Sequence, residues 1–214
     1  MEEHQLSGPG HKLERLIFFS DAVFAIAITL LVIDLHAPHL PDAASRRDYL
    51  ITLVNLSPAM MGFTISFFVI GAFWAGHHRA FALARTWDDR LIFPNLVMLF
   101  TIAAMPFVTA FMSANPLGRV PALLYTGWLL LAALANVRVQ RLVTSPPVVM
   151  PGVDPAYIAY VRRRGQSVVF AAVTAAAAVA VLPYASMGLA LLGTIPLWRR
   201  GLTRWLDRPA KERA

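Results

Sequence analysis

No cysteine occurs among the 214 residues. This excludes disulfides, thiolate metal sites and a cysteine nucleophile, and leaves the redox compartment open. Charge is scarce too: Asp, Glu, Lys and Arg make up 14% of the chain, well under the roughly 25% of an ordinary soluble domain. Apolar residues take that place, at 57% of the total, so water is not expected to be the main solvent. The stretch from Met1 to Arg15 is polar and of mixed charge, and no small-residue cleavage site follows the first apolar segment. That segment is expected to remain as a mature helix. The net charge of +7 would point to nucleic acid in a soluble protein. Here the basic residues fall between apolar stretches rather than along one amphipathic face, which is a topology pattern, and no nucleic-acid partner is expected.

A helix needs about 20 mainly apolar residues to cross a hydrocarbon core roughly 30 Å thick. Residues 16–35, 51–73 and 91–112 meet this plainly, and 120–135, 167–182 and 184–198 are shorter candidates, the last two parted only by Pro183. A proline ends or kinks a helix near the residue before it, so that pair reads as a tight helical hairpin. The predicted fold class is therefore an all-α membrane protein with six transmembrane helices. With the N-terminus inside, Lys12, Arg15, Arg79, Arg85, Arg90, Arg138, Arg141, Arg162, Arg163, Arg164 and the basic residues of the C-terminal tail all fall on the inner side. Only Arg46, Arg47 and Arg119 fall outside. Positively charged loops stay cytoplasmic, so both termini are predicted there. The whole of 1–214 reads as a single multi-pass domain of the cell membrane, with 1–14 a cytoplasmic N-terminus and 199–214 a cytoplasmic tail.

The longest predicted loop, 140–166, contains Ser145-Pro146-Pro147, Pro151-Gly152 and the run Arg162-Arg163-Arg164. The triple arginine is expected to anchor the topology and touch anionic lipid headgroups, with a specific regulatory lipid site as the sharper alternative. The fifth span is rich in alanine from 171 to 180, and small residues let helices approach closely.

The first span opens with a cation, a hydroxyl and a carboxylate, in Arg15-Leu16-Ile17-Phe18-Phe19-Ser20-Asp21. Two readings fit. Ionisable groups within a span face the bundle interior or a wet cavity and find partners there; alternatively, Ser20 and Asp21 cap and start the helix. Arg15 and Asp21 stand about 600° apart around a helix, so they do not pair with each other as i, i+4 neighbours would. Candidate partners lie at the same inner level: Trp74, His77 and His78 at the end of the second span, and Asn95 early in the third. A network of Arg15, Asp21, His77 and Asn95 would tie three helices together, a fold-holding role rather than a catalytic one. Further along, Ile26, Leu30 and Ile33 make an apolar stripe with Thr29 beside it and Asp34 at the outer end. Such a stripe is ordinarily lipid-facing or packed core. It also suits a cation path, since hydrophobic constrictions gate by dewetting and acidic rings attract cations.

These residues resemble the bacterial branch of the transmembrane protein 175 family, relatives of the lysosomal potassium channel. The likeness rests on the hallmark Arg-x-x-x-Phe-Ser-Asp, here Arg15 to Asp21, on Thr29-Leu30-Leu31 before Asp34, and on the Trp74, His77, Asn95 region. Layout extends it over about 13–198. The resemblance implies a homotetramer of six-helix subunits, with the first helix of each lining a central pore that passes potassium passively. No Thr-Val-Gly-Tyr-Gly filter occurs, in keeping with a pore that lacks carbonyl rings. The family's apolar constriction, a hydrophobic gate, would fall at Ile26, with further apolar layers at Leu30 and Ile33 and a hydroxyl ring from Thr29 linked to potassium preference. Arg15, Ser20 and Asp21, together with Trp74, His77 and Asn95, would form a helix-packing polar network rather than touch the ion. The implied partners are other copies of the chain and membrane lipids. Potassium enters as permeant ion, and no cofactor is expected.

Two other classes share parts of this pattern. A proton-coupled secondary transporter would use Asp21, Asp34 and His77 as carriers, but transporter sites are commonly built on broken helices in repeated halves. No second copy of the first-helix pattern occurs. Pro106 offers one break, whereas Pro94 falls in the first turn of its helix, where proline is tolerated. An intramembrane hydrolase built from Ser20, His77 and Asp21 would lack a Gly-x-Ser-x-Gly element or a donor loop for an oxyanion, so no enzyme activity is expected. His77 and His78 do not make a metal pair, because adjacent helical positions point about 100° apart and no Glu or further His completes a ligand set.

Overall fold

A computed structural model describes residues 9–181 of the chain. The described elements are all helical, and among them five helical stretches, one of them interrupted, are long and apolar enough to cross a membrane. The sixth predicted span at 184–198, the hairpin at Pro183 and the tail at 199–214 lie outside the described residues.

Helix α1 (Pro9–Leu30) starts well before the apolar run and tightens into a 3-10 turn at Leu31–Asp34. Proline is at home in a first helical turn, and Lys12, Leu13 and Glu14 after it are good helix formers. This early start decides between the two readings of the signature: Ser20 and Asp21 stand in mid-helix and cap nothing. Helix α2 (Arg46–Phe81) opens on a capping box. The Asp48 carboxylate accepts from the Ser45 N–H at 2.8 Å, and the Ser45 hydroxyl accepts from the Asp48 N–H at 3.3 Å. At about 1.5 Å per residue the helix is about 54 Å long, well beyond the hydrocarbon core. Trp74, His77, His78 and Arg79 therefore sit on α2 itself, where hydropathy alone ended the span at 73.

The third predicted span is broken into α3 (Ile92–Ala103) and α4 (Met105–Ala114). Pro106 has no N–H for the carbonyl of Ile102, which interrupts the ladder. Trp128 donates its indole N–H to the Thr101 carbonyl at 2.9 Å in the same stretch. Buried Ser66, Thr109 and Tyr125 hydrogen-bond in mid-bundle at 2.7 and 2.9 Å and join α2 to α4 and to the next helix.

Helices α5 (Arg119–Val143) and α6 (Pro155–Val181) both overrun their predicted limits. The long loop expected at 140–166 shrinks to 144–154, and the arginine run lies on α6. Arg162 turns back to the end of α5. Its Nε donates to the Thr144 hydroxyl at 2.8 Å, and its Nη2 to the Thr144 carbonyl and the Ser145 hydroxyl, both at 2.9 Å. The last carbonyls of a helix lack internal partners, and this guanidinium supplies some of them. The expectation that the whole run faces lipid thus fails for Arg162, which is spent on closing α5. The α5–α6 connection in turn pairs with the one after α2, through Arg85 N–H to the Val148 carbonyl and Met150 N–H to the Leu83 carbonyl, each 2.9 Å. Around the apolar core, α1 packs on α2 and α3, α2 on α4 and α5, and α6 mainly on α5.

Candidate functional site

Helix α1 has two unlike faces. Leu13, Ser20, Phe24, Ala27 and Leu31 recur at helical spacing and are buried against α2 and α3. Arg15, Phe18, Phe19, Ala22, Ala25, Ile26, Thr29, Leu30 and Ile33 are exposed. The contrast is steep: Phe24 and Ala27 are 1% exposed, Ile26 and Ile33 57% and 64%.

On the buried face, Asn95 is the hub. Its Nδ2 donates to the Ser20 hydroxyl at 2.9 Å, and Ser20 donates onward to the Leu16 carbonyl at 2.8 Å. Because the Ser20 proton is used there, its oxygen is left to accept, and the Asn95 amide is oriented by that need. The Asn95 Oδ1 then accepts from His77 Nε2 at 2.9 Å. His77 thus carries its proton on Nε2, and its buried Nδ1 has no partner among the described residues. Its ring stacks on Phe81 at 4.3 Å and meets the edge of Phe24 at 5.6 Å.

The network expected from the sequence therefore divides. Ser20, Asn95 and His77 come together in the core, across α1, α2 and α3. Asp21 and Trp74 form a separate pair at the rim, with the indole N–H donating to Oδ1 at 2.9 Å. Arg15 joins neither: it stands on the exposed face and bonds to none of Asp21, His77 or Asn95 among the described residues. Sequence reasoning missed Phe24 and Phe81, which enclose the imidazole. Phe24 was findable, since it follows Ser20 by four residues and so shares its face.

Ile26, Thr29, Leu30 and Ile33 all lie along the open face. The Thr29 hydroxyl donates back into its own helix, to the Ala25 and Ile26 carbonyls at 3.1 and 2.9 Å. With the proton turned inward, the oxygen lone pairs are what this side chain offers outward, a surface suited to a cation. At the far end of α1 from Ser20, a cavity of 270 Å³ is lined by Leu31, Asp34, His36, Phe63, Thr109 and Ser113, and the buried Ser113 hydroxyl has no partner among the described residues.

Residues 15–106 match the family described as endosomal/lysosomal potassium channel TMEM175. A Chamaesiphon minutus protein named a potassium channel is 35% identical over 130 residues, which span 59% of this chain and 64% of that protein. The chain thus matches less than two thirds of that relative's length. The human endosomal/lysosomal proton channel TMEM175 is 26% identical over 113 residues, half of this chain and 22% of its own. The fold is shared with the crystal structure of a lysosomal potassium-selective channel TMEM175 homolog from Chamaesiphon minutus. That match has a TM-score of 0.75 and 24% identity, and covers 89% of this chain and 97% of the other.

Proposed function

This chain is a relative of the transmembrane protein 175 channels over residues 15–106, and we propose that it is a subunit of a homotetrameric potassium channel of the cell membrane, with α1 of each subunit facing a central pore. The observation that carries this reading is the open face of α1, an apolar stripe exposed from Phe19 to Ile33 among the described residues. Four such stripes around an axis bring Ile26 into a ring, and an apolar ring narrow enough to dewet closes the path to ions. Leu30 and Ile33 add apolar layers, Thr29 contributes hydroxyl oxygens, and Asp34 stands at the outer mouth, where carboxylates concentrate cations. Ser20, Asp21, Trp74, His77 and Asn95 hold helices rather than ions, and Arg15, on the open face, is left for contact between subunits. Both termini are cytoplasmic on the distribution of Lys and Arg.

Potassium is the ion because the bacterial relative carries that name; the human relative's name makes protons the rival ion. One observation favours a second reading, a proton-coupled transporter: the break between α3 and α4, since transporter sites often use broken helices. Met105 and Pro106 beside that break are buried and Trp128 bonds across it, so among the described residues it is packed rather than open. Flux into liposomes under a potassium gradient, with and without a pH gradient, separates the three. Reversal at the potassium potential supports the channel, reversal at the proton potential changes the ion, and coupling of one gradient to the other makes it a transporter. Ile26→Asn should wet the ring and raise leak. Unchanged flux from an assembled variant removes Ile26 from the gate.

A further inference from the structure

At the inner end of the bundle, α2, α5 and α6 enclose a crevice lined by Gly76, Arg79, Asn136, Gln140, Arg164 and Gly165. A side chain on Gly165 would run into the Gln140 amide, so the glycine is what lets α6 close over it. Two buried atoms here have no partner among the described residues, the Gln140 Oε1 and the Arg164 Nε. Gln140 is 2% exposed, and the void beside it is about 10 Å³, room for one water or one hydroxyl.

At the mouth, Arg79 and Arg164 both line this crevice, and they are close enough for the charge of Arg164 to act on Arg79. Arg164 is held in place: its Nη1 donates to the Tyr160 hydroxyl at 2.6 Å, and the guanidinium lies 5.4 Å over the Tyr160 ring, which stacks on Tyr157. No carboxylate among the described residues lines the crevice. The described carboxylates of the inner end are engaged elsewhere. Asp21 accepts from Trp74, Asp89 from Trp87, and Asp154 from the Ala156 N–H at the start of α6. Asp88 pairs with Arg90, whose guanidinium and N–H hold its carboxyl below the usual range. Glu14 lies beside His11. Two like charges side by side and partly buried repel unless an anion lies between them. Both arginines stand about 5–9 Å past the apolar stretches of their helices, at the depth of the headgroup layer.

We propose that Arg79 and Arg164 clamp one phosphate group at this mouth, carried by an anionic lipid headgroup or by a small soluble phosphate. Paired guanidinium forks match phosphate oxygens in number and geometry. A hydroxyl next to the phosphate, such as that of a glycerol headgroup, reaches the unpaired Gln140 oxygen. Arg162, tied to Thr144, takes no part, and the site does not depend on what the pore conducts.

The test uses the full-length protein in a nonionic detergent, with lipid retention read by native mass spectrometry and stability by thermal melting. Phosphatidylglycerol should be retained and raise the melting temperature, and phosphatidylcholine should not. Arg79→Gln with Arg164→Gln should retain phosphatidylglycerol about thirty-fold less well. Arg141→Gln, an exposed arginine at the same end, should match wild type. Stabilisation by inorganic phosphate or glycerol 3-phosphate as strong as by the lipid, and lost in the double variant, supports the clamp and assigns a soluble source; stabilisation by the lipid alone assigns the membrane. Undiminished retention in the double variant, or equal retention of phosphatidylcholine by wild type, overturns the clamp. Should the glutamine pair not fold, Arg79→Lys with Arg164→Lys keeps the charge and loses the forks. Weaker retention then supports the clamp, and unchanged retention overturns it.

Discussion

The two faces of α1 differ in what each asks of the rest of the protein. The buried face is finished within one chain: Ser20 has its acceptor and its donor, Phe24 fills the space beside His77, and Ala27 lets a neighbouring helix approach. The open face is unfinished, and its residues are apolar except Arg15 at one end and Thr29 further along. In a bilayer, apolar exposure alone carries no penalty, because lipid tails are as apolar as leucine. The open face therefore cannot be separated from a lipid surface by hydrophobicity. What separates the faces is the response to substitution: damage on the buried face is felt by the single chain, and damage on the open face only by whatever covers it.

The largest effect belongs to Phe24. Phe24→Ala removes a ring packed edge-on to His77 and leaves a cavity in the core, at about 3 kcal/mol. Ile26→Ala, two residues on, should change the stability of the single chain by less than about 0.5 kcal/mol, as for other exposed positions. Thermal melting of both variants in detergent at concentrations where the protein is monomeric checks the contrast. Equal losses would mean the open face is packed within the chain and would remove the basis of the pore reading.

Next comes Asn95. Asn95→Ala deletes the bonds to Ser20 and to His77 together, at about 1–3 kcal/mol for two hydrogen bonds inside a membrane protein. The imidazole is then buried with neither nitrogen paired. Ser20→Ala leaves the Asn95 to His77 bond in place and should cost less. A double-mutant cycle on Asn95 and Ser20 that returns no coupling would break the idea of one joined network.

How much of this was readable beforehand follows from what each signal measures. Hydropathy finds apolar runs, so the cores of all five described spans were visible, but it is blind to helix that continues into polar sequence. α2 runs on through His77 and Arg79 because His77 and Phe81 are buried by packing, not by lipid. α6 starts at Pro155, and the sequence carries a signal for that: an aspartate followed by proline is an N-cap and first-turn pair, and the Asp154 carboxylate does accept from the Ala156 N–H. Apolarity outweighed it. In the signature, level along the bundle was legible and rotation about the axis only partly so. Residues at one level can face partners or face away, and each step in sequence turns the side chain by about 100°. Asp21 and Ser20 are neighbours in sequence, yet one meets Trp74 at the rim and the other Asn95 in the core.

Arg15 is where the comparison of faces bears on assembly. It opens the signature, yet it lies on the unfinished side, roughly in line with Phe19, Ala22 and Ile26 at helical spacing. A role in holding its own subunit together predicts a loss of monomer stability on substitution. The exposed position predicts instead that Arg15→Ala leaves the melting of the single chain within about 0.5 kcal/mol of wild type and weakens the contact between copies. Dilution series read by light scattering should show the variant dissociating at higher concentration than wild type, while the relative permeability to potassium and sodium of the assembled fraction stays the same. A variant that melts early as a monomer would return Arg15 to the packing network within the subunit. One that assembles normally but changes ion preference would place the guanidinium on the ion path, and the signature would then contribute to selectivity as well as to structure.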